Sequence, residues 1–241
     1  MDGGYLSMQI RQWIIRPIIA FREYIFSDVL PAFSNLDQRA NKIADEYFEG
    51  MGAQPADEDF DGDMSGYAEE ARDQGQSWYD MMKSLRQTML NLLAAGLFHL
   101  VEQQLGALCR DAGFLNKPLK ETKLEVLTKW YKAHTGVEFE TMPSWALIDE
   151  LRYVANTVKH GEGPSARTLK SLRPELFRDP TFATIVNELG LSPFETRRVE
   201  APLAGEDLFV TEELLRKYAE GSESFFREIA AYFDAHEDEY Y

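Results

Sequence analysis

The chain has 241 residues, 44% of them hydrophobic, and a formal net charge of −16. That length and apolar content suffice for a packed core, while the acid surplus argues against a protein that coats nucleic acid indiscriminately. The charge is uneven: residues 51–80 hold nine acids against Arg72 alone, residues 234–241 hold four more, and residues 110–173 hold eleven Lys/Arg against eight Asp/Glu. The middle of the chain can therefore offer a locally basic surface.

Cys109 is the only cysteine, which excludes an internal disulfide and points to a reducing compartment. It lies in an apolar helical run and reads as a buried, inert thiol. The opening MDGGYLSM lacks a basic stretch ahead of an apolar core. The apolar run from Met89 to Val101 is interrupted by Asn91 and His99 and is too short to span a bilayer. The expectation is a soluble, cytoplasmic protein with no membrane partner.

In chain order, residues 8–30 read as a helix through Ile10, Trp13, Ile14, Ile18, Phe21 and Ile25, with Pro17 as a kink or start and Pro31 as its end. Ser34-Asn35-Leu36-Asp37 resembles a capping signal for a second helix carrying Leu36, Ala40, Ile43, Ala44 and Tyr47, which stops at Gly50-Met51-Gly52. Residues 53–76 read as an acidic loop. Within it Asp57, Asp59, Asp61, Gly62 and Asp63 resemble the opening of a calcium loop, but the twelfth position of that register is Ala68. Starting at Asp59 puts Glu70 twelfth and Met64 at the turn glycine, so a solvated acidic loop is preferred over a cation site at 57–70.

The longest helix is expected over 77–110, with Trp78, Met81, Met82, Leu85, Met89, Leu92, Leu93, Gly96, Leu97, Leu100, Val101, Leu105 and Leu108 as a core stripe about 50 Å long. His99 lies beside the stripe as a hydrogen-bonded boundary residue. A helix over 120–132 closes at Gly136. After the 143–160 helix come a short helix from 165 broken at Pro174, a second at 180–190 with Gly190 as its cap, and an extended covering loop over 191–210 with a short strand pair as an option. Thr211 caps the last helix, whose stripe is Leu214, Leu215, Tyr218, Phe225, Phe226, Ile229 and Phe233. The predicted fold is one all-α domain over 1–241, an elongated helical bundle made of N-terminal helices 8–50, an acidic segment 51–76, a core 77–190, a covering loop 191–210 and a final helix 211–236.

The stretch from Pro143 to Pro164 carries the only constellation that looks like chemistry. Leu147, Ile148, Leu151, Val154, Ala155 and Val158 form one apolar face. Arg152, Asn156, Lys159 and His160 fall on the other, with Asp149, within an arc of roughly 100°. Such a cluster can hold an RNA phosphate: Arg or Lys offsets charge building on phosphorus, His moves the proton of a ribose 2′-hydroxyl, and Asn orients either partner. A plainer reading stands beside it. Lys and His in a last turn suit the helix dipole, Gly161 is an ordinary C-cap, and Arg152 can pair with Asp149 three residues back. No metal is expected at this cluster, because only His160 and Asp149 are good ligands there. No cofactor is expected either, since glycine-rich phosphate loops, GxSxG, HExxH and CxxC are all missing.

The long helix with LFHLVEQQLGALC, the helix ending ELRYVANTVKHGEG and the aromatic-rich last helix resemble the HEPN (higher eukaryotes and prokaryotes nucleotide-binding) domain, over roughly residues 35–235. NTVKHGEGPSARTLKSLRPELF is also similar to uncharacterised bacterial proteins of this type. The resemblance implies a metal-independent ribonuclease of toxin–antitoxin, phage-defence or RNA-processing systems, with two motif helices paired across a homodimer into one composite site. RNA and an antitoxin-like protein are the implied partners. The family pattern is an Arg, often a polar residue after it, and a His four to six residues on. Asn156 and His160 match the last two, Ala155 stands at the Arg position, and Arg152 or Lys159 is left to supply the charge. The alternative is a catalytically silent module of the same fold that binds a protein, RNA or nucleotide.

Overall fold

A computed structural model of the chain describes residues 3–52, 64–111, 123–181, 189, 197–203 and 207–236. It is all-α, and no strand occurs among the described residues. The helices are α1 (Gly3–Gln9), α2 (Arg16–Tyr24), α3 (Leu36–Gly52), α4 (Ser65–Asp111), α5 (Leu124–Thr135), α6 (Trp145–His160), α7 (Pro164–Leu172) and α8 (Glu212–Ala235). Helix α4 is the axis of the bundle: α3 packs along its first half, α6 along its second, and α8 contacts both α4 and α6. Helices α1 and α2 lie on α8, and α7 lies on α6.

The first segment starts earlier than the sequence pattern suggests and is interrupted by two π-helical turns, Ile10–Ile14 and Ile25–Val29. The wider turn brings Ile10, Ile14, Ile15 and Ile18 all into the core. Trp13, expected to point inward, is 58% exposed and carries the Arg16 guanidinium over its ring at 5.1 Å. Pro17 falls in the first turn of α2, where its missing N–H costs nothing.

The acidic segment is shorter than expected. Residues 65–76 are the first turns of α4 rather than loop, because tertiary packing decides what local composition leaves open. Gly75 is the contact point with α3: a Cβ there would come within 2.7 Å of the Ala40 carbonyl oxygen and 3.1 Å of Ala44 Cβ. Ala68 and Glu70, the two candidate twelfth positions of a calcium loop, therefore sit on a helix. Glu70 accepts a hydrogen bond from the Tyr47 hydroxyl at 2.6 Å. Asp57, Asp59, Asp61, Gly62 and Asp63 lie outside the described residues, as does nearly all of the expected 180–190 helix.

The stripe expected of α4 divides into two faces. Leu90, Ala94, Leu97, Phe98, Val101, Leu105 and Leu108 are buried, whereas Met81, Leu85 and Leu92 are 58%, 46% and 37% exposed. Apolar residues run around more of this helix than its neighbours cover. Among the described residues α4 is also the one helix long and apolar enough to cross a membrane, by length and composition alone. Cys109 is buried, and burial pushes its thiol up to about 11 against the lowering effect of a hydrogen bond with Tyr131, so it stays protonated and inert.

The described parts of the covering segment, 197–203 and 207–210, form no strand ladder. The Arg197 amide donates to the Phe177 carbonyl at 2.9 Å and the Phe209 amide to the Leu176 carbonyl at 2.8 Å. Its second half is anchored by Asn91, which is fully buried on α4. The Asn91 amide donates to the Leu208 carbonyl at 2.8 Å, and its oxygen accepts from the Val210 amide at 3.3 Å. The Thr211 hydroxyl then accepts from the Leu214 amide and opens α8. Replacing Asn91 by Leu keeps the branched shape but strands a buried carbonyl and a buried amide. Urea unfolding of Asn91→Leu should show a loss of about 2–6 kcal/mol, from about 1–3 kcal/mol for each of the two unsatisfied buried groups.

Candidate functional site

Helix α6 presents the polar cluster, and its neighbours hold it at both ends and along its flank. Ile148, Leu151, Val154, Ala155 and Val158 are buried. At its start, Ser144 supplies no side-chain cap; instead its amide and hydroxyl both donate to Glu228 of α8, at 3.2 and 2.6 Å. This places a carboxylate at the positive end of the helix dipole. On the flank, Glu150 accepts from the Tyr218 hydroxyl at 2.6 Å and from Arg173 at 2.7 Å. At the far end the Leu203 amide donates to the Val158 carbonyl at 2.5 Å, and the Gly161 amide donates to Thr157.

Gly161 is needed for two reasons. Its φ of 69° belongs to the left-handed region, and a Cβ there would lie 3.0 Å from the Val199 carbonyl oxygen. The glycine thus ends α6 and lets the 197–203 segment cross the helix terminus.

The four predicted residues do not share one environment. Arg152 is held by Asp149, with Nε and Nη2 at 2.8 and 2.6 Å from Oδ1, and its Nη1 is 3.5 Å from Glu125 of α5. Its guanidinium also stacks over Tyr153, 4.3 Å from the ring centre. Burial lowers the Arg152 pKa, but the hydrogen bonds and charge of Asp149 outweigh it, and the net shift is upward. This cation is committed to its own protein, as the plainer sequence reading has it. Asn156 is half-buried, and Lys159 and His160 are exposed. Neither the Asn156 nor the His160 side chain has a hydrogen-bond partner among the described residues.

Lys159 is drawn into a group that the spacing within α6 does not reveal. Its Nζ lies 3.5 Å from Nε2 of His99 on α4. The other ring nitrogen of His99, Nδ1, is 3.0 Å from Glu102 Oε2. Glu102 Oε1 in turn accepts the Leu124 amide at 2.8 Å, capping α5 from a different helix. His99 was expected to be a hydrogen-bonded boundary residue, and so it is. Glu102 and Glu125 were missed. The i, i+3 spacing of His99 and Glu102 on α4 was the available signal, but the Lys159 and Leu124 contacts depend on tertiary packing.

On the helical wheel of α6, Arg152 and Lys159 lie about 20° apart, while His160 lies about 100° round from Lys159. Lys159 therefore faces α4, and His160 opens onto a different side. Chemically, the group offers a mobile ammonium, a carboxylate-oriented imidazole and a second, free imidazole. No family model, curated protein or solved structure matches the chain.

The glycine at the helix end gives a direct check on how the cluster is held. Gly161→Ala forces a side chain into the left-handed region and against Val199. Thermal unfolding should report a loss of about 1–3 kcal/mol, the cost of holding an L-residue in a backbone region that is essentially glycine's alone.

Proposed function

We propose that the chain is a metal-independent endoribonuclease of the HEPN type, acting as a homodimer with a composite site. The observation that carries this reading is the pair Lys159 and His160, exposed on the last turn of a helix whose opposite face is locked into the core. Neither makes an ion pair with a carboxylate among the described residues, so both are available to a ligand. Lys159 would hold a phosphate oxygen, His160 would transfer a proton, and Asn156 would orient the strand. Ala155, at the family Arg position, is 1% exposed and packs in the core, so no charge can come from there. Arg152, bound to Asp149 and Glu125, shapes the face rather than the transition state. The setting implied is RNA restriction in the cytoplasm, under control of an antitoxin-like partner.

A dimer has a surface to use. Met81, Leu85 and Leu92 share one exposed face of α4 with Gly96 and His99, within roughly 40° of Leu92 on the helical wheel. A second copy covering Met81, Leu85 and Leu92 would bury apolar area, leave His99 at the edge of the contact and bring the two sites towards each other. Leu92→Glu should turn a dimer into a monomer of 27.6 kDa in sedimentation. A wild-type protein that is already monomeric at micromolar concentration removes the composite site.

The engagement of Arg152 favours a second reading, a silent module of the same fold that docks a partner through this face. The two part on one experiment. With single-stranded RNA, His160→Ala should lower cleavage by about 10²–10⁴-fold, the worth of a positioned acid–base group, while leaving circular dichroism unchanged. Cleavage should persist in EDTA, because Asp149, the other good ligand at this face, is held by Arg152. A His160→Ala protein that cleaves like wild type rejects the catalytic role and leaves the silent module.

A further inference from the structure

We infer that His99, oriented by Glu102, is the base that activates the ribose 2′-hydroxyl, with Lys159 holding the phosphate beside it. The inference rests on the ribonuclease reading and deepens it by assigning the base to α4 rather than to the motif helix. Glu102 is fixed through both oxygens: one takes the Leu124 amide at 2.8 Å, the other faces His99 Nδ1 at 3.0 Å. Its side chain is only 14% exposed, against 39% for His99. A carboxylate held in this way accepts the proton of Nδ1, and the neutral ring must then present a bare lone pair at Nε2. That lone pair points at the one exposed cation of the α6 face, Lys159, 3.5 Å away.

An imidazole lone pair and an ammonium aimed at one point suit a phosphodiester beside a free 2′-hydroxyl. The ammonium moves from Nε2 to a non-bridging phosphate oxygen when RNA binds, and Nε2 is released for the hydroxyl. The 2′-hydroxyl proton passes to His99 Nε2, and O2′ forms a bond to phosphorus. The P–O5′ bond breaks, and O5′ takes a proton from protonated His160. The products are a 2′,3′-cyclic phosphate and a 5′-hydroxyl. His160 opens about 100° away from Lys159 on the same helix, and in the proposed homodimer the acid at a given phosphate is His160 of the second copy. One chain thus supplies the base and the phosphate anchor, and the other supplies the acid.

The test uses the full chain and single-stranded RNA, with a 2′-deoxy oligonucleotide as an uncleavable probe of binding. His99→Ala should lower kcat by about 10²–10⁴-fold and leave affinity for the probe within about threefold. Added imidazole should restore part of the lost rate. Glu102→Gln keeps an acceptor for the Leu124 amide but removes the charge, and should lower kcat at least about tenfold with KM unchanged. The ¹⁵N shifts of the His99 ring should report the Nδ1–H form in the free protein. His99→Ala cleaving at the wild-type rate while His160→Ala is inactive overturns the base assignment and leaves the ribonuclease reading intact. A His99 ring in the Nε2–H form overturns it whatever the activity. Wild-type protein that cleaves no RNA removes the ribonuclease reading and the base with it.

Discussion

The Glu150 carboxylate fixes everything that the polar face of α6 can do. It accepts the Tyr218 phenol and the Arg173 guanidinium together, joining α6 to α8 and to the end of α7. Burial, and then the hydrogen bond to Glu150, push the Tyr218 hydroxyl far above its ordinary pKa, so it remains a donor at all working pH. A partly buried carboxylate with two strong donors is costly to break, because either partner left alone is desolvated without compensation. With Glu228 at one end and Leu203 at the other, α6 cannot rotate about its axis. Lys159 is therefore obliged to face His99, and His160 to face away.

Net charge says little about such a site. The acids concentrate in residues 51–80 and at the C-terminus, whereas Lys159 and His160 stand at the negative end of the α6 dipole beside the 197–203 segment. Arg197 and Arg198 belong to that segment. What a phosphate meets at close range is set by these groups within a Debye length, roughly 10 Å at 0.1 M salt, and not by the whole-chain sum. The acid surplus still discourages promiscuous nucleic-acid binding and favours a short, defined contact.

Where periodicity and caps agreed, the sequence was easy to read. Helices α5, α6 and α8 stand within a few residues of their expected limits because Gly136, Gly161 and Thr211 punctuate them and their buried faces repeat at 3.6 residues. The Arg152–Asp149 pair was legible for the same reason, being local. The first turns of α4 were not. Gly66, Gly75 and scattered acids read as loop until α3 supplies Ala40 and Ala44 for Gly75 to pack against. Nor could composition separate Leu92 from Leu90, since the face that neighbours leave open is a property of the assembly. The Glu102–His99–Lys159 group was hidden most thoroughly, because it joins residues from two helices 60 positions apart and its carboxylate is fixed by the start of a third.

The type of cation this face leaves open has a chemical consequence. An Arg at position 155 would need room for a planar fork, and the residue there is buried against the core. Arg152 has the fork but has spent it on Asp149 and Glu125. The remaining charge is Lys159, a compact ammonium on a flexible stem. An ammonium cannot clamp a phosphate bidentately, and it lacks the geometric selection an Arg gives. Mobility is gained: the same ammonium can rest on His99 Nε2 and swing to a phosphate. In the resting chain Lys159 also covers the imidazole lone pair that the chemistry would need. On the proposed reading, a substrate phosphate has to draw the lysine off before the ring is free.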